Sequence, residues 1–169
     1  PPPPATFAAA TTGTYSAFPN PSIAPERALE TSYDGCARAE ELRAAKAATI
    51  KQKLMVAGLT CEAADSYNDF VRGYQDELQS SDFDLQNFFA RMHGADGDRA
   101  LDSFKTRIAN VSMMDSLADA GSYCTNARAS FDAAKANRGR SLAVFIASQE
   151  TDLRADFSPC TVETASSLR

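Results

Sequence analysis

Four cysteines, Cys36, Cys61, Cys124 and Cys160, are scattered along the 169 residues, and no two form a C-x-x-C pair. Zinc, haem and thioredoxin-like sites need such local spacing. The single His93 leaves no histidine cluster to complete a metal site. An even number of dispersed cysteines instead points to two disulfides formed in an oxidising compartment. Free buried cysteines are the alternative. If the cysteines pair, the fold must bring these four positions together two by two.

Between them the pattern is helical. Residues 36–57 are rich in Ala, Leu, Lys, Arg and Glu, all strong helix formers. Their expected inward stripe is Cys36, Ala39, Arg43 (by its methylene stem), Ala47, Ile50 and Leu54, with Gly58 as the stop. Thr60 is placed to cap a second helix carrying Tyr67, Phe70, Val71, Tyr74 and Leu78 on one face. Ser80-Ser81-Asp82 predicts a break, followed by a helical piece with Leu85, Phe88, Phe89 and Met92 that stops at Gly94. Asp96-Gly97-Asp98 reads as a turn with Asp98 as the next cap. The helix after it carries Leu101, Phe104, Ile108, Val111 and Leu117, and ends near Gly121. Ser122 then caps a helix with Cys124, Ala127, Phe131 and Ala134 on one side. Gly139 interrupts, Ser141 restarts a last helix through Leu142, Phe145, Ile146 and Leu153, and Pro159 closes it. No alternating strand pattern and no internal repeat occurs.

This order predicts an all-α antiparallel bundle of four to six helices. With long helices running up, down, up and down, Cys36 and Cys160 fall at one end and Cys61 and Cys124 at the other. The expected disulfides are therefore Cys61–Cys124 and Cys36–Cys160. A Cys36–Cys61 bridge would have to span roughly 30 Å of helix, far beyond disulfide reach. A fold-back at Ser80–Asp82 would scramble these ends.

Residues 1–24 differ in kind, being Pro, Ala, Thr and Ser broken by Phe7, Tyr15, Phe18 and Ile23. Such composition favours an extended polyproline II arm and does not build helix or core unaided. The division expected is an arm over 1–24 and a disulfide-stapled helical domain over 25–169. The chain lacks an initiator Met and opens on Pro1 to Pro4, which reads as a processed N-terminus after removal of a targeting segment.

Charge excludes some partners. The chain carries 22 acidic against 17 basic residues, for a net charge of −5. A nucleic-acid binder should instead show a basic stripe, and a protein docking on anionic lipid a basic patch. The longest apolar runs, such as Leu142 to Ala147, fall far short of the roughly 20 residues of a membrane span. Periplasmic or secreted location is the expectation.

Catalytic chemistry finds little support. His93 precedes Gly94 at an expected helix end, where an imidazolium interacts favourably with the dipole. The carboxylate sets Asp65/Asp69, Asp76/Glu77, Asp82/Asp84 and Asp96/Asp98/Asp102 fall on polar faces or helix starts, where acids are favoured anyway. Asp96-Gly97-Asp98 lacks the ligand run and closing Glu of a calcium loop. Met92, Met113 and Met114 read as core packing rather than a soft-metal site. Arg43, Lys46, Lys51 and Lys53, offset by Glu40 and Glu41, read as a solvated face. No phosphate loop, nucleophile elbow or haem motif occurs, so no catalytic, cofactor or metal residue is expected.

The run from Cys61 through Asn110, with Tyr67-Asn68-Asp69-Phe70, Leu85-x-x-Phe88-Phe89 and Ala109-Asn110, resembles small exported bacterial helical proteins of unassigned function. In size, export and lack of active-site chemistry the chain is also similar to small non-catalytic subunits of periplasmic membrane-bound dehydrogenases. That likeness implies an accessory subunit that binds and stabilises a larger exported protein, with a membrane-bound oxidoreductase complex as the specific expectation. Phe7, Tyr15 and Phe18 are the expected anchors on that partner, since buried aromatics dominate such interfaces. The alternative is a free-standing bundle holding a small apolar ligand among Phe70, Phe88, Phe104 and Phe131.

Overall fold

One helix touches nearly everything else. In a computed structural model, which describes residues 35–160, α1 (Ala39–Thr60) packs on α2 (Ala64–Gly73), α3 (Gln75–His93), α4 (Gly97–Ala118), α5 (Ala120–Ala136) and α6 (Leu142–Ser148). A 3-10 turn, Gly94–Asp96, joins α3 to α4. Among the described residues there is no strand, only an isolated parallel bridge between Ala37 and Pro159. The chain is an all-α bundle, as its periodicity predicts.

Central placement explains why α1 lacks one clean apolar stripe. Ala47, Ile50, Leu54 and Ala57 face a core completed by Phe70, Tyr74, Phe131 and Phe145. Ala44, Ala45 and Ala48 face a second core built on Leu85, Phe88, Phe89, Phe104 and Phe157. Two buried faces leave little of the helix for solvent. Small alanines let neighbours approach from both sides. Of the predicted stripe, Ala47, Ile50 and Leu54 are buried, whereas Cys36, Ala39 and Arg43 are exposed.

Helix directions follow from cross-contacts. Lys51 Nζ lies 2.6 Å from Asp82 and Glu41 lies 2.5 Å from Arg91, so α1 and α3 run antiparallel. The tight turn at Gly94–Asp96 sends α4 back alongside α1. An added Cβ on Gly97 would stand 2.8 Å from the Ala90 Cα, so only glycine allows this close approach. The C-termini of α1 and α4 therefore share one end of the bundle, with the Cys61–Cys124 disulfide. Cys36–Cys160 closes the other end. There Ala37 N–H donates to Ser158 O at 2.8 Å and Cys160 N–H to Ala37 O at 2.9 Å. Both predicted pairings are present.

Several boundaries differ from expectation. Gly58 lies inside α1, and an added Cβ there would meet the Tyr67 Cβ at 3.0 Å; the residue permits helix approach rather than ending a helix. The actual stop is Glu62, left-handed at φ 53°, with Ala63 N–H donating to Gly58 O at 3.0 Å. Thr60 does not cap α2; its hydroxyl donates back to Val56 O at 3.0 Å. Ser80–Asp82 does not break α3, because Leu78 and Leu85 anchor both sides and Asp82 pairs with Lys51. The break falls at Tyr74 instead, whose hydroxyl donates to Ala134 O at 2.9 Å. Asp119, not Ser122, caps α5, accepting from Ser122 N–H at 3.0 Å, and α4 ends at Ala118 before Gly121. Gly97 itself starts α4, ahead of Asp98. The last helix stops at Ser148, short of Leu153.

Candidate functional site

Most residues that looked chemically suggestive serve the fold. Glu41 is buried at the start of α1, where it accepts from Arg38 N–H at 2.7 Å and from Arg91 Nε at 2.8 Å. Arg91 also donates to Cys36 O at 3.0 Å, tying the first disulfide to α3. Burial works to raise the Glu41 pKa, but the Arg91 hydrogen bond, the Arg38 N–H and both guanidinium charges outweigh it and hold the carboxyl below its ordinary range. Glu41 is thus an internal clamp rather than part of a solvated face.

Three other acids have similar duties. Both Glu77 oxygens accept from Leu142 N–H, at 2.9 and 3.0 Å, capping α6. Asp69 pairs with Arg72 at 2.9 Å, and Asp96 pairs with Arg99. His93 ends α3 with its ring stacked on Phe89, centroids 5.8 Å apart. Among the described residues no group of three or more His, Cys, Asp or Glu is placed to hold a metal ion.

The aromatic side chains do not form one ligand cavity. Phe70 and Phe131 belong to the first core, and Phe88 and Phe104 to the second. A small recess of about 110 Å³ is lined by Phe70, Tyr74 and Phe131, and two larger open grooves lie elsewhere. One, of about 460 Å³, runs between α1, α3 and α6 over Ala44, Ala47, Leu142 and Ile146. The other, of about 480 Å³, lies beside α1 and α5 over Ile50, Leu54 and Ala127. Phe7, Tyr15 and Phe18 lie outside the described residues.

The feature that stands apart is α4. Its first half keeps the predicted stripe, with Leu101, Phe104 and Ile108 buried. Its second half inverts. Val111 and Leu117, expected inside, are 52% and 73% exposed, and Met113 and Met114 are exposed rather than core. Ser112 and Ser116 are buried in their place. The serines fit because they are small and satisfied: Ser112 Oγ lies 2.6 Å from the Tyr123 hydroxyl, and Ser116 Oγ donates to Met113 O at 2.7 Å. Leu59, at the C-terminus of the parallel α1, is 72% exposed at the same end. The periodicity of α4 did not reveal this, because it reports an apolar face without saying which neighbour covers it. The signal was Ser112 and Ser116, whose spacing continues the buried line of Leu101, Phe104 and Ile108.

Acids predominate around this end, where exposed Lys53 of α1 also lies, its carbonyl accepting from the Tyr123 hydroxyl at 3.4 Å. Glu62, Asp65, Asp115 and Asp119 are exposed there, and all the ion pairs among the described residues lie elsewhere. The arrangement holds no nucleophile–base pair. It offers polarizable apolar surface with an acidic margin. No protein-family model, curated protein or solved structure matches this chain.

Proposed function

We propose that this is a non-catalytic, exported accessory protein that binds a larger exported protein. The observation that carries the reading is the inverted half of α4. An exposed apolar face of Val111, Met113, Met114 and Leu117, backed by buried serines, is the reverse of what folding alone selects. Apolar surface of this kind, rich in adaptable Met, suits a protein–protein contact. Two disulfides and no free cysteine fit a periplasmic or secreted setting. No described helix is long and apolar enough to cross a membrane.

On this reading α4 supplies a rigid docking face, and Phe7, Tyr15 and Phe18 supply further anchors. A membrane-bound oxidoreductase complex is the specific partner that the chain's general character suggests. The test is recovery of the native complex from source membranes in mild detergent, followed by mass spectrometry. Met114→Ser with Leu117→Ser should abolish recovery of a stoichiometric larger protein while changing stability by no more than about 0.5 kcal/mol per site. Undiminished recovery would overturn the reading, as would a lone 18.1 kDa species from the unaltered protein.

A further inference from the structure

We infer that the α4 docking face takes a cationic amphipathic helix of the partner, an inference that rests on the accessory-protein reading. Two of the acids at this end sit where local physics disfavours them. Asp115 lies in the last turn of α4, which contains no basic residue, and a carboxylate there faces the negative end of the helix dipole. Glu62 holds a left-handed backbone at φ 53°, a position that glycine fills without strain. Neither has an ion-pair partner among the described residues. Asp65 and Asp119 differ, since the first turn of α2 and the N-cap of α5 favour acids for their own sake. A locally costly residue kept beside an unpartnered apolar face is what a binding contact requires and a free helix does not.

The chemistry of the occupant follows. Val111, Met114 and Leu117 recur at helical spacing on the outward side of α4, a ridge suited to the apolar stripe of a second helix. Flanking lysines or arginines on that helix would meet Asp115 and Glu62, speeding association and rejecting acidic competitors. The same acids repel an anionic bilayer, which favours a protein helix over a lipid surface.

The test uses the full, disulfide-bonded chain and two fluorescent 18-residue amphipathic helical probes, one of Leu and Lys, the other of Leu and Glu. Anisotropy titrations should show the Leu/Lys probe binding at least about tenfold tighter, with the preference weakening between 50 and 200 mM salt. Asp115→Lys with Glu62→Lys should erase or reverse that preference. Met114→Ser with Leu117→Ser should lower binding of both probes. Equal affinity for the two probes, or a preference that survives charge reversal, would overturn the inference while leaving apolar docking intact. If the Met114 and Leu117 changes affect neither probe, the docking face itself falls. Co-sedimentation with phosphatidylglycerol vesicles through the same residues would also overturn the inference, in favour of lipid.

Discussion

Ser112 and Met114 stand on the same turn of α4, yet the serine is 1% exposed and the methionine 65%. Ser112 reaches the Tyr123 hydroxyl at 2.6 Å, so its polarity is used inside the protein. Met114 has no such use there. Ser112→Leu is therefore expected to destabilise by about 1–3 kcal/mol, through overpacking and loss of that hydrogen bond. Leu117→Ser should change stability by no more than about 0.5 kcal/mol. Urea unfolding of the two variants checks the pair. A larger loss for Leu117→Ser than for Ser112→Leu would place the apolar side of α4 inside the fold.

The Glu41–Arg91 clamp predicts a defined pH dependence. The folded-state pKa of Glu41 is lowered, so its stabilisation is fully present above the unfolded pKa. It is lost as pH falls through the lowered folded value. Glu41→Gln should cost about 1–3 kcal/mol at pH 7, and the gap to the unaltered protein should close below about pH 4. Thermal melts of both proteins across that range measure it. A gap that stays constant with pH would show that the carboxylate charge is not what stabilises the site.

Glu62 offers a change in the opposite direction. Replacing a strained left-handed residue by glycine relieves backbone cost at the end of α1, partly offset by the freedom glycine adds to the unfolded chain. Glu62→Gly should raise stability by about 0.5–1 kcal/mol and at the same time weaken binding of a cationic helical probe. Denaturant midpoints and probe titrations on one preparation test both halves.

Gly97 is expected to tolerate no side chain. Gly97→Ala drives a methyl toward the Ala90 Cα and the Phe89 carbonyl, both backbone atoms that cannot swing aside. The loss should be about 1–3 kcal/mol or more, read as a lowered urea midpoint with an unchanged slope.

The topology was legible because cysteine placement and helix count constrain each other. Up-down connectivity puts Cys61 beside Cys124 and Cys36 beside Cys160, and the structure has both bridges. Local errors arose where tertiary contacts overrode a local signal. Ser80–Asp82 looks like a break, but Leu78, Leu85 and the Lys51–Asp82 pair hold the helix together through it. Gly58 looks like a stop, but Tyr67 needs its missing side chain. Glu41 looks like surface charge until Arg91 arrives from α3, a long way along the chain. The candidate site was hidden for a related reason. An apolar stripe carries no label for inside or outside, and only the packing of Ser112 against Tyr123 assigns the two sides of α4.

The most direct test of the docking face is a photocrosslinking amino acid placed at position 114 in the source cells, with position 83 as the control. Phe83 is also an exposed apolar residue, 63% exposed, but it belongs to α3 rather than α4. The account predicts that irradiation joins one defined larger protein to position 114 and nothing comparable to position 83. No adduct at position 114, or equal adducts at both positions, would contradict it.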